Sequence, residues 1–285
     1  MIRFSCSDYT FPLLTPARRF ALLKLLGFEY VDIGLFERSA GLEPQQLLAD
    51  PRTFTERLKL GLKSAGLQAS DMFLQTGVAP TDSAANDPSP QIRAHNRKVF
   101  LAALDLCNAL GCTHLTGLPG VWHERVKETE DVALATDEAG WRQRSAADAG
   151  VTYAIEPHIG SLCVDIASTQ SMLHSVPGLT LTLDYGHFVA AGIESSNVHS
   201  LLPFASHIHA RGGATNRLQA SVNENEIDFY GMIDRLDKQQ YEGVVAIEYV
   251  WADWQHCNRT DNVSETILLR DLLAGSIKSA HLVRR

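Results

Sequence analysis

Four short apolar runs in the second half of the chain each finish on a residue that can hold a metal ion or move a proton. They are Ala-Ile-Glu156-Pro-His158, Leu-Thr-Leu-Asp184-Tyr-Gly-His187, His207-Ile-His209-Ala-Arg211 and Val-Ala-Ile-Glu248-Tyr. Carboxylates gathered in one place repel each other and resist ionisation unless a cation neutralises them. Two Glu, one Asp and one His from the third run therefore read as ligands of one divalent metal ion. Three carboxylates and an imidazole form a hard donor set. It suits Mn²⁺ first, with Mg²⁺, Co²⁺ or an open-position Zn²⁺ as alternatives. The cysteines, Cys6, Cys107, Cys112, Cys163 and Cys257, include no Cys-x-x-Cys pair and are expected as reduced, buried thiols.

Such residues can meet only if the elements bring their strand ends together. Period-two and short apolar runs predict strands at Ile2–Cys6, Tyr30–Ile33, Ala69–Leu74, His114–Thr116, Thr152–Ile155, Thr180–Leu183, His207–His209 and Val244–Tyr249. Helical spacing predicts helices at Pro16–Leu26, Thr53–Ser64, Gln91–Leu110, Asp137–Asp148, Ile166–His174 and Phe229–Lys238. A last helix is expected from Asn262 as N-cap, with Glu265 three residues on, close to a capping box, and Val263, Ile267 and Leu268 on its buried face. Strands alternating with helices pair in parallel, and eight of them close a barrel. An open dinucleotide-binding sheet is disfavoured, because no GxGxxG or GxxxxGK[ST] is present. The expected fold is a single-domain (β/α)8 TIM barrel over residues 1–285, with the chemistry at the C-terminal strand ends. Gly77–Pro90 is expected as a loop of that active-site face.

The chain of 285 residues carries a net charge of -8, which argues against nucleic-acid binding. No apolar run approaches the ~20 residues that cross a bilayer. Met-Ile-Arg-Phe-Ser-Cys shows no leader pattern, so a cytoplasmic location is expected.

The series Glu156, Asp184-x-x-His187, His207-x-His209, Glu248 resembles the xylose-isomerase-like TIM barrels of the sugar phosphate isomerase/epimerase superfamily, which includes the ketose 3-epimerases. Glu226-Ile-Asp-Phe and Tyr241-Glu-Gly are also similar to those proteins. The resemblance implies that Glu156, Asp184, His209 and Glu248 hold the metal. It implies that Glu156 and Glu248 double as the catalytic acid/base pair and that His187 touches a substrate oxygen. His209-Ala-Arg211-Gly-Gly departs from the Lys-Asp or acidic residue that many members carry there, and Thr215 stands where the ketose epimerases have an arginine, between Arg211 and Arg217.

The implied activity is a metal-dependent sugar isomerase or epimerase working through an enediolate, with a small sugar as partner and a homo-oligomeric assembly. The alternative is a lyase that eliminates from a 3-keto glycoside, which implies a small partner subunit. Metal-assisted phosphodiester hydrolysis and a metal-free sugar-binding barrel are further readings, the former opposed by the charge. Substrate contacts are expected from His158, His187, Arg211 and Arg217. His158 is equally readable as a loop residue bound to backbone, and Arg211 as a rim salt bridge. His207 is expected to pack behind His209. Trp122 and His123, and Trp251 and Trp254, are candidates for a substrate wall or for loop packing. Glu128–Asp131 is expected as a solvated helix start.

Overall fold

The computed structural model describes residues 2–39 and 41–283, with side chains through residue 277. Eight strands follow one another around a closed, wholly parallel barrel. They are β1 (Arg3–Ser7), β2 (Tyr30–Phe36), β3 (Gln68–Gln75), β4 (His114–Gly117), β5 (Thr152–Ile155), β6 (Thr180–Asp184), β7 (Ala205–Ala210) and β8 (Val244–Ile247). Helices α1 (Pro16–Leu25), α2 (Pro44–Ala49), α3 (Pro51–Ala65), α4 (Pro90–Leu110) and α5 (Glu128–Asp148) cover the first half. The second half adds α6 (Ile166–Ser175), α7 (Tyr185–Ala190), α8 (Ser195–Val198), α9 (Phe229–Lys238) and α10 (Asn262–Val283).

Alternation along the strands divides the side chains into two sets. Val31, Ile33, Leu115, Ile155, Leu181, Leu183, Ile208 and Ile247 are fully buried in the hydrophobic core. Their sequence neighbours are polar and meet one another. Ser5 Oγ donates to Asp32 Oδ1 at 2.8 Å, Thr116 and Thr182 hydroxyls pair at 2.6 Å, and His207 Nε2 lies 2.6 Å from Asp32 Oδ2. His114 bridges Asp71 and Ser206 at 2.6 and 2.8 Å. A register shift between Val31 and Asp32 accompanies a further bond from Ser70 Oγ to Asp32. TIM-barrel interiors are more often filled by branched aliphatic layers. Here a hydrogen-bonded polar ladder fills part of that space, and the strand-end residues stand on top of it.

Two local expectations are corrected. The last helix is capped by Asp261, whose carboxylate accepts from the Val263 and Ser264 amides, while Asn262 donates to the Thr10 and Tyr249 carbonyls. Glu265 accepts from the Val222 amide, so it closes no capping box. Its buried face is Thr266, Leu269 and Leu273, whereas Val263 and Leu268 are exposed. The start of α5 is only partly solvated: Asp131 is buried and accepts from the His123 amide at 2.8 Å and lies 2.6 Å from its ring.

Candidate active site

The parallel register sets Asp184 beside His209 and His209 beside Ala246, two residues before Glu248. Four strand ends thus converge. His209 Nδ1 lies 2.6 Å from Glu156 Oε1 and 3.5 Å from Glu248 Oε1. Arg211, one strand pleat beyond His209, donates through Nε and Nη2 to Asp184 Oδ2 at 2.9 and 2.5 Å. Nη2 also lies 3.3 Å from Glu248 Oε2 and 3.2 Å from His187 Nε2. Glu156, Asp184, His187, His209, Arg211 and Glu248 are all buried.

Burial sets the electrostatics. It raises the Glu156 carboxyl to about 7, aided by the charges of Glu248 and Asp184 and opposed by His209. For His209, burial disfavours the charged ring, but Glu248 and Glu156 outweigh it and hold the imidazole well above its ordinary value. The short His209–Glu156 contact is therefore a protonated imidazole donating to a carboxylate, or the same proton on the other partner. His158 is pushed down to about 4 by burial; as a neutral ring it donates Nδ1–H to the Ile159 carbonyl at 2.8 Å. His158 Nε2 is buried with no hydrogen-bond partner. His187 is held neutral by burial and by Arg211, and its Nδ1 accepts the Ile159 amide at 3.2 Å.

A cavity of about 410 Å³ opens above this cluster, with Glu156, His158, His187, Arg211 and Glu248 in its floor and wall. Val78, Ala79 and Pro80 of the expected βα loop line it, as do Trp251 and Trp254. Trp254 stacks at a tilt over His187 with ring centroids 6.2 Å apart. Trp122 is exposed and away from this cavity, and His123 is engaged with Asp131. Arg217 is not brought to the site: it is exposed and pairs with Glu224 at 3.1 Å. Its strand has ended and the chain has turned away, so proximity in sequence to His209 does not carry it inward.

Three residues of the site are absent from the sequence-based set. Tyr9, just after β1, donates its hydroxyl to Glu248 Oε1 at 2.9 Å. Phe73 packs against His209, with centroids 5.6 Å apart. Asp32 lies under the site, with Oδ2 3.7 Å from His209 Nε2. An acidic residue in the middle of the apolar run Tyr30–Ile33 is the signal that marks Asp32 in the sequence.

The donor set fits a divalent cation. Ligand atoms of Glu156, His209 and Glu248 lie within 4.8 Å of one another, as do those of Glu156, Asp184 and His187, and the two groups share Glu156. Glu248 Oε2 is buried without a hydrogen-bond partner, with only the Arg211 guanidinium 3.3 Å away, so donor capacity remains for an ion. A buried cluster of Asp, His and Glu able to bind a metal thus stands at the C-terminal mouth of the barrel.

Solved structures with this architecture include an L-ribulose 3-epimerase at 14% identity and TM-score 0.76, the match covering 100% of this chain and 97% of the other. A D-tagatose 3-epimerase-like protein aligns over 100% of both chains at 13% identity and TM-score 0.78. The 3-keto-D-glucoside 4-epimerase of E. coli aligns over 96% of this chain and 100% of its own, at 16% identity and TM-score 0.72. Such identities establish the shared fold alone. No curated protein matches the sequence. The family model of the xylose isomerase-like TIM barrel matches residues 20–272, and the chain belongs to that family.

Proposed function

We propose that the chain is a divalent-metal-dependent sugar epimerase or isomerase, with Glu156, Asp184, His209 and Glu248 holding the ion. The observation that carries this reading is the approach of Glu156 and Glu248, from two different strand ends, to the same nitrogen of His209, both carboxylates facing one cavity. A bound divalent cation, Mn²⁺ by preference, supplies Lewis acidity for the negative charge that develops on the substrate oxygens. Glu248 removes the proton from the carbon beside a keto group, giving an enediolate. In this reading Glu156 returns a proton from the opposite face. Return to the same carbon inverts it; return to its neighbour moves the carbonyl. Neutral His158 and His187 orient the substrate hydroxyls, with Arg211 beside them. The five buried free thiols accord with a cytoplasmic location, and no described helix is long and apolar enough to cross a membrane.

Proton NMR in D₂O with Mg²⁺-loaded protein, a panel of ketoses and a panel of 3-keto glycosides tests this. Deuterium entering a carbon next to the keto group is expected. No exchange into any of these substrates would sink the reading. A second reading, elimination from a 3-keto glycoside, is favoured by one feature: the apolar wall of Val78, Pro80, Trp251 and Trp254, which suits an aglycone. It would be seen as release of the free aglycone.

Metal affinity is expected to rise with pH. Burial raises the Glu156 carboxyl to about 7 and neighbouring carboxylates hold His209 well above its ordinary value, so the proton that this pair shares must leave before a cation is bound. Isothermal titration with Mn²⁺ between about pH 5.5 and 8 should show tightening binding accompanied by proton release. An affinity independent of pH over that window would contradict ligation by these two groups.

A further inference from the structure

Arg211 already engages two of the four proposed ligands. Both hydrogen bonds from Nε and Nη2 end on Asp184 Oδ2, and Nη2 approaches Glu248 Oε2 to 3.3 Å. The other Asp184 oxygen, Oδ1, accepts the Gly186 amide at 2.7 Å. Both oxygens of this carboxylate are therefore committed. Arg211 is 3% exposed and its guanidinium cannot lose its proton, so it leaves these carboxylates by moving and not by titrating. Its backbone has little freedom: the next residue, Gly212, donates its amide to the Tyr249 hydroxyl at 3.0 Å and accepts the Ala220 amide at 2.7 Å. Movement must come from side-chain torsions, and the cavity that Arg211 lines gives it somewhere to go.

We propose that Arg211 is a built-in competitor for the metal. A divalent cation enters the donor set by displacing the guanidinium from Asp184 and Glu248, and the displaced guanidinium turns into the cavity toward substrate oxygens. Metal entry and presentation of the arginine to substrate are then one event. This inference rests on the metal-dependent reading above.

The test is isothermal titration of the whole protein with MnCl₂. Arg211→Gln is expected to bind Mn²⁺ roughly 10- to 100-fold tighter than wild type, the scale on which charge-assisted hydrogen bonds compete. Arg211→Lys keeps the charge but not the fork and should fall between. Wild-type protein labelled with ¹⁵N-arginine provides a measurement that needs no variant to fold without metal. On titration with diamagnetic Mg²⁺, the Nε–H resonance missing from the Arg211→Lys spectrum should shift. Affinity in Arg211→Gln equal to or weaker than wild type, or an Arg211 resonance unmoved at saturating Mg²⁺, would overturn the proposal alone. Failure of wild type and both variants to bind millimolar Mn²⁺ would overturn the proposal and the metal-dependent reading together.

Discussion

Glu248→Gln should lower turnover by roughly 10²-fold or more while retaining part of the metal affinity, because it removes a general base and leaves one coordinating oxygen. The glutamine carbonyl can still accept from Tyr9, whose hydroxyl lies 2.9 Å from Glu248 Oε1, so the side chain keeps its position. What it loses is the capacity to take a proton from carbon at neutral pH. Glu156→Gln should fall by a similar factor if both faces of the substrate are served, as inversion requires. If the reaction is an elimination with one base, only one substitution should abolish deuterium exchange. The other would mainly weaken metal binding and respond to added Mn²⁺. Both variants must be assayed at saturating metal, so that lost coordination is not read as lost proton transfer. Wild-type rates in both would move the proton to another group. His158, with its unpartnered Nε2 in the cavity wall, would then be the first residue to substitute.

The reach of sequence reasoning here follows the range of the interactions. The strand ends carrying Glu156, Asp184, His209 and Glu248 are legible because a strand's apolar alternation is local, and each polar residue sits where the alternation stops. The barrel follows from the same repetition. Strand β2 runs on to Phe36, three residues past its expected end, through Gly34, where a Cβ would meet the Tyr9 and Phe36 rings. The polar ladder is not legible in this way. Asp71 and His114 lie 43 residues apart and meet only after closure. Asp131 reads as part of a solvated acidic run because its partners, Asn86 and His123, come from other loops. Arg211 is the hardest case. Its spacing from His209 places it on the correct side of the strand, but a long side chain can turn back to Asp184 or forward to the cavity, and only packing decides.

Asp32→Ala should cost about 3–5 kcal/mol of stability, the scale for leaving one partner of a buried ion pair uncompensated. Against a total of about 5–15 kcal/mol for a typical domain, that is a large fraction. Asp32 is fully buried, accepts from Ser5 and Ser70, and lies 2.6 Å from His207 and 3.7 Å from His209. Burial alone would raise its pKa, but the charge and hydrogen bonding of His207, with His209 added, hold it far below the ordinary value of 3.8. The sign of the pH dependence follows. A carboxyl with a depressed folded-state pKa contributes its full stability above its unfolded value, near pH 4, and loses it as pH falls further toward the folded value. The deficit of Asp32→Ala relative to wild type should therefore be largest near neutrality and shrink below about pH 4. Asp32→Asn should cost less, since the amide oxygen can still accept from Ser5 and Ser70 while the charge opposite His207 is gone. Urea unfolding at pH 7 and at pH 3 measures both differences. A deficit under about 1 kcal/mol at pH 7 would mean that the ladder beneath the site contributes no more than an ordinary hydrogen bond. A metal titration of Asp32→Asn then separates support from ligation: weaker Mn²⁺ binding at unchanged fold would trace to His209, which loses the acceptor that faces its Nε2.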